Sequence, residues 1–164
     1  MRTTRGAYPV LYPAGEKFPI GGSKVLRSDP NDQVTLVGAG VTVHECIAAW
    51  EALAKDGIHV RIIDLYSVKP VDVDTLIDAV AHTQGRILVA EDHHPQGGIG
   101  SAVLAALASA AVSPTVVQTV SQLRFVHLAV RSLPGSGTPQ ELLAAAGIDA
   151  HHIEEAVRTL LSAS

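Results

Sequence analysis

The chain has 164 residues, 47% hydrophobic and 17% charged, with a formal net charge of -4 and a pI near 6.0, enough for one well-buried domain and too little for two. That balance offers no basic field for a nucleic-acid backbone, and no apolar run reaches the length of a membrane span, so neither nucleic acid nor membrane is an expected partner. Cys46 stands alone within an amphipathic pattern, and the N-terminus lacks a signal peptide's apolar core; together these indicate a packing cysteine in a reducing, cytoplasmic setting.

Residues 1–22, MRTTRGAYPVLYPAGEKFPIGG, carry Pro9, Pro13 and Pro19 and follow no helical or alternating period. A structureless segment of this length is expected to be a strap leading in from a preceding domain. Residues 23–164 are then the domain itself. KVLR (24–27) is a short edge strand and SDPND (28–32) a turn. QVTLVGAG (33–40) is a continuous apolar run of the kind buried on both faces of a parallel sheet. A helix follows over TVHECIAAWEALAKDG, with Thr42 as cap, Glu45 completing a capping box, and Val43, Ile47, Trp50 and Ala54 on one face. Gly57 ends it.

The cycle repeats. IHVRIIDL (58–65) is rich in β-branched residues and leads through SVKP into a helix with Val73, Ile77, Val80 and Ala81 as its buried stripe. GRILVAED (85–92) is a third central strand, followed by the loop EDHHPQGGIGS and an alanine-rich helix from about Ile99 to Ala111. LRFVHLAVR (123–131) is a fourth long strand, and two short helices, QELLAAAG and AHHIEEAVRTLL, finish the chain. Strands alternating with helices argue for a three-layer α/β/α sandwich.

Three patterns invite a chemical reading. GAGVTV (38–43), between strand and helix, with Asp64 ending the next strand, has the setting of a dinucleotide fingerprint, but Val43 stands where the third glycine belongs. The competing reading is a tight strand-to-helix turn permitted by Gly38 and Gly40. In EDHH, adjacent side chains leaving a strand point to opposite sides, so His93 and His94 do not make one metal site, and a hydrogen-bonded strand end is the simpler account. Histidines 44, 59, 82, 127, 151 and 152 are scattered, with 151 and 152 expected as solvated surface. Ser101 lies inside the helix start and lacks the elbow that exposes a nucleophilic hydroxyl. A third role for EDHHPQGGIGS is a shaped polar loop that docks against another domain.

From FPIGGSKVLR through VTLVGAGVTVHECIAA, VRIIDLYSVKPVD and GRILVAEDH with GGIGSAV to PGSGTPQELLAAAGID, the chain resembles the C-terminal domain of a transketolase. The matching positions are Asp64, Lys69, Pro70 and Asp72 of a DxxxxKPxD stretch, then Glu91, Asp92, His93, Gly97, Gly98 and Gly100. The related deoxyxylulose phosphate synthases and 2-oxoacid dehydrogenase β subunits match less closely, and a small-ligand or nucleotide-binding regulatory module of such an enzyme is the alternative reading. The resemblance implies a mixed sheet of about five strands, with 24–27 antiparallel at an edge and four parallel strands near 34–38, 59–64, 86–91 and 123–130. It also implies a homodimeric parent enzyme of the pentose phosphate pathway, in which thiamine diphosphate and a divalent metal such as magnesium move ketol units between sugar phosphates. That cofactor lies between the family's first two domains, which are the expected partners here. The sequence carries no GDG with a downstream NN pair, so this chain is expected to hold no cofactor, metal or catalytic residue and to be inactive alone. Of the matching positions, Asp64, Lys69, Pro70, Glu91, Asp92, His93, Gly97, Gly98 and Gly100 are instead candidates for a structural interface. MRTTR resembles the exit from the preceding domain, and residues 109–125 are longer than the resemblance predicts.

Overall fold

The apolar runs assemble into a five-stranded sheet in the order β1-β3-β2-β4-β5, seen in a computed structural model that describes residues 6–162. The MRTTR segment lies outside the described residues. The strands are β1 (Lys24–Arg27), β2 (Val34–Gly38), β3 (Val60–Asp64), β4 (Arg86–Glu91) and β5 (Arg124–Ala129). β1 pairs antiparallel with β3, and every other pairing is parallel, as the resemblance implies. β2 is buried at every residue, which is why its sequence is apolar without alternation. β1 alternates between half-buried and exposed residues and carries an irregularity between Val25 and Arg27, as befits an edge.

Helices cover both faces and make the three layers. On one face α1 (Val41–Lys55) and α6 (Ala150–Ser162) pack on each other and enclose a core that includes Leu36, Cys46, Leu53, Ile62, Leu88 and Val157. On the other lie α2 (Val73–His82), α3 (Ile99–Ala110) and α4 (Pro114–Ser121), over Val37, Ile63, Leu76, Val89 and Leu107. The short α5 (Pro139–Ala146) sets Leu143 with Val41 and Ile148 in a satellite cluster that also takes Tyr8 from the strap.

Four local expectations are corrected. The cap of α1 is Gly40, at φ 61, not Thr42. A glycine there lets the chain turn out of β2 and enter the helix at once, so Thr42 falls in the first turn, where its Oγ1 accepts from Ala39 N and donates to Ala39 O, both at 3.1 Å. Glu45 completes no capping box; its carboxylate accepts from Ala150 N at 2.9 Å and so serves the start of α6. Val43 is buried as expected, but the buried line of α1 continues through Cys46, Ala49 and Leu53, because α1 is sandwiched between the sheet and α6. Ile47 and Trp50 flank that line, Trp50 beneath the Arg27 guanidinium at 5.3 Å, and Ala54 is exposed.

In α2 the buried residues are Leu76, Ala79 and Val80, with Val73 and Ile77 half-buried and Ala81 exposed. The helix starts at Val73, fixed by Asp72 as its cap, and that start sets which face meets the sheet. Within 109–125 the long connection folds into α4, with Ser113 accepting from Val116 N at 3.4 Å and Pro114 in the first turn. No α4 residue is fully buried, which explains why its apolar pattern is weak.

Candidate functional site

Glu91 is the last residue of β4 and is 1% exposed, among the most buried charged side chains of the chain. A buried carboxylate needs partners. It accepts from Ile99 N at 2.5 Å and Gly100 N at 3.2 Å, the first amides of α3, and its Oε1 lies 2.5 Å from Nε2 of His127. The helix start supplies unpaired donors and a partial positive charge, which suit a carboxylate. Strand alternation explains the meeting with His127: Ile87, Val89 and Glu91 face the α3 layer, and so do Phe125 and His127 on the neighbouring strand, with Val89 opposite His127.

The glycines of the loop make room for this node. A Cβ on Gly98 would stand 2.0 Å from Glu91 Oε2, and one on Gly100 would stand 2.3 Å from His127 Nε2. Gly97, at φ 76, turns the chain. Ser101 braces the same loop, donating to Pro95 O at 2.8 Å and accepting from Gly97 N at 3.3 Å. Asp92, His93 and His94 project at the surface. His93 has its Nδ1 2.7 Å from the carbonyl of His94, and its own carbonyl accepts from Val130 N at 3.0 Å, tying the loop to the segment after β5.

The DLYSVKPVD stretch faces the strap. Tyr12 donates its hydroxyl to Asp64 at 2.5 Å, and Tyr66 donates to Pro19 O at 3.2 Å. Ser67 accepts from Gly21 N at 2.9 Å and donates to Pro70 O at 2.8 Å. Asp72 caps α2 through Thr75 N and also accepts from Ser23 at 2.8 Å. Phe18 sits edge-on between Tyr12 and Tyr66, with ring centroids 4.9 Å apart on both sides. Lys69 is exposed and joined by a cis peptide to Pro70. Burial pushes the Asp64 carboxyl above its ordinary range, against the opposing pull of Tyr12 and His44. Burial and the Asp64 bond likewise raise the Tyr12 phenol.

Strand order places the point where successive connections diverge to opposite faces between β2 and β4, beside the Glu91 node. Gly40 and Asp64 lie one strand away, between β2 and β3, where they line a cavity of about 230 Å³ with Tyr8, Tyr12, Val43 and His44. Sequence reasoning missed two members of these sites. Tyr12 carries no motif. His127 was one of several scattered histidines, although its parity with Phe125 on the same strand face was available as a signal.

Cys46 is buried and its thiol is pushed up to about 12 by that burial, far from the reactive range. The Ser101 hydroxyl is committed to the loop. Among the described residues no three His, Cys, Asp or Glu side chains converge as a metal-binding group.

The chain is thus an α/β sandwich whose polar groups at the sheet's C-terminal edge hold a loop and an N-terminal strap. A family model for "Transketolase, C-terminal domain" matches residues 23–153, and the chain belongs to that family. It is 46% identical over 162 residues to Transketolase-like protein 1 of Macaca fascicularis, covering 98% of this chain and 25% of that protein. It is 42% identical over 162 residues to human transketolase, covering 99% of this chain and 24% of that protein. The chain thus spans about a quarter of the length of the curated relatives it matches. Among solved structures, a split-gene transketolase described as an inactive beta4 tetramer superposes with a TM-score of 0.82 at 29% identity, over 96% of this chain and 48% of that one. Transketolase from Leishmania mexicana gives a TM-score of 0.60 at 18% identity, over 85% of this chain and 18% of that one, which speaks to the fold alone.

Proposed function

We propose that this chain serves as the C-terminal docking and dimer-contact domain of a transketolase that moves two-carbon ketol units between sugar phosphates. The observation that carries the reading is coverage: nearly all of this chain matches only about a quarter of each full-length relative. The remaining N-terminal and middle domains would supply thiamine diphosphate, the divalent metal and the catalytic groups. The enzyme would be a cytoplasmic homodimer of the pentose phosphate pathway, a transferase to which this domain lends contacts.

Two surfaces suit that role. Residues 6–22 lie along the domain, held by the Tyr12 bond to Asp64 and the Gly21 bond to Ser67, in the manner of a strap entering from a preceding domain. The loop bearing Asp92 and His93 is exposed, while Glu91 and the glycines behind it are fixed; a rigid polar rim is a suitable contact for another domain or subunit. Lys69 and Pro70 are exposed beside the strap and belong to the same contact. The split-gene relative, found as a tetramer of one chain type and inactive, gives this reading a parallel.

The test is an assay of clean protein with xylulose 5-phosphate and ribose 5-phosphate at saturating thiamine diphosphate and magnesium. No ketol transfer is expected from this chain alone, and transfer is expected after reconstitution with the N-terminal and middle domains of a transketolase. Turnover by the chain alone would overturn the proposal.

A further inference from the structure

Residues 8–22 lie over the C-terminal end of β3 and close it around one carboxyl. Tyr8 stacks on His44 of α1 at 5.1 Å and 23°, Phe18 packs edge-on against Tyr66, and Gly21 N donates to Ser67 Oγ at 2.9 Å. Between these contacts Tyr12 donates to Asp64 Oδ2 at 2.5 Å. The cover over Asp64 is the strap itself, since Tyr8, Pro9, Leu11 and Tyr12 form the wall of the adjoining cavity that faces His44.

Asp64 is 6% exposed, and its two oxygens differ. Oδ2 takes the Tyr12 hydroxyl, whereas Oδ1 is buried without a hydrogen-bond partner among the described residues. An ionised carboxylate with one oxygen buried and unpaired is costly, and the neutral acid costs far less. Neither strand neighbour offsets the charge: Gly38 lies opposite on β2, and Lys24 on β1 turns its ammonium to Glu16 and to the Phe18 ring. Burial accordingly holds the carboxyl above its ordinary range, against the opposing pull of the Tyr12 bond and of His44. With the strap lifted, the carboxyl would meet water and regain its ordinary preference for the ionised form.

We infer that the strap is a proton-linked clasp: closure of residues 8–22 over the domain takes a proton from solvent onto Asp64 Oδ1, and the clasp loosens when that proton leaves. Oδ2 remains the acceptor for Tyr12 in both forms. The sign follows from linkage, because a group whose value is raised in the closed form holds the strap fully below the ordinary carboxylate range, and that hold is lost as pH rises through the raised value. Glu16 has the opposite sign, since its bond with Lys24 keeps it below the ordinary range and its contribution is lost only in acid. The strap leads directly into β1, so the clasp sets how firmly that lead is held.

Hydrogen–deuterium exchange of the 164-residue chain, corrected for the chemical exchange rate at each pH, tests this from about pH 4 to about pH 9. The Gly21 amide and its strap neighbours are expected to lose protection severalfold as pH rises. They should exchange ahead of the β4 amides throughout, because the clasp opens on a folded domain. In Asp64→Asn, which keeps an acceptor for Tyr12 and cannot ionise, the strap should keep its protection as pH rises. If circular dichroism shows that variant unfolded, Tyr12→Phe replaces it and should carry the loss to higher pH, since the bond it removes opposes the raised value. Flat protection in the wild type overturns the inference. So does strap protection equal to that of β4, or a pH dependence that the folded variant leaves unchanged, which would belong to His44.

Discussion

Glu91 shows how one side chain can set a loop, a helix start and a strand pairing together. Its carboxylate is removed from water, yet both oxygens are engaged, by α3 amides and by His127. Removing one partner from such a buried group leaves the others unpaired, at a cost of about 3 kcal/mol. Glu91→Ala is therefore expected to lower stability by about that amount, seen as a reduced urea midpoint. Gly98→Ala attacks the same node from the opposite side, because its Cβ would fall 2.0 Å from Glu91 Oε2. Overpacking of this kind costs about 1–3 kcal/mol. If Gly98→Ala unfolded at the wild-type midpoint, the close approach described for this loop would be wrong.

Elements differ in how plainly the sequence announces them, and distance along the chain explains the difference. β2, β3, β4 and the turn into α3 are encoded by contiguous runs, so their order and type could be read directly. The partner of Glu91 lies 36 residues away on a neighbouring strand, and that of Glu45 lies 105 residues away at the head of α6. Glu45 fits a local capping pattern, which is why its distant role was invisible. The buried faces of α1 and α2 were misread for a related reason: a helix packed against both a sheet and a second helix buries more than one stripe. The strap bonds to Asp64 and Ser67, and the Ser23 bond to Asp72, likewise join segments with no shared periodicity.

Asp72 makes the link between Ser23, at the entry to β1, and the start of α2 measurable. Burial pushes its carboxyl up, but hydrogen bonds from Ser23 and Thr75 outweigh burial and hold it below the ordinary range. A depressed folded value means that its stabilising contribution is complete above the ordinary carboxylate range and is lost as pH falls through that depressed value. Asp72→Ala should cost about 1 kcal/mol at neutral pH, the usual worth of a helix cap, and the difference from wild type should shrink in acid. Urea midpoints across pH would show this; a difference that stayed constant down to strongly acid pH would mean the bonds do not favour the ionised form. Asp64 has the opposite sign, since its raised value favours the folded state at low pH and withdraws that contribution as pH rises through it.

At the scale of the whole molecule the polar groups divide into those used inside the domain and those presented outward. Glu91, Asp72 and Ser67 are bonded within it. Asp92, His93 and His94 stand at the surface beside residues 131–140, which are exposed throughout and include Leu133 at 97%. Val130 N donates to the His93 carbonyl, which ties the loop to the start of that segment, and an exposed stretch mixing polar groups with an exposed leucine is suited to a partner. His93 contributes its backbone to that surface and leaves its ring exposed, so trimming the ring should leave the domain folded. In a complete transketolase built with this domain, His93→Ala is expected to weaken dimerisation while turnover per intact dimer stays near normal. Analytical ultracentrifugation paired with ketol-transfer assays at matched dimer concentration separates the two effects. A large fall in turnover with assembly unchanged would instead make His93 part of the catalytic machinery, and the docking role of this rim would have to be abandoned.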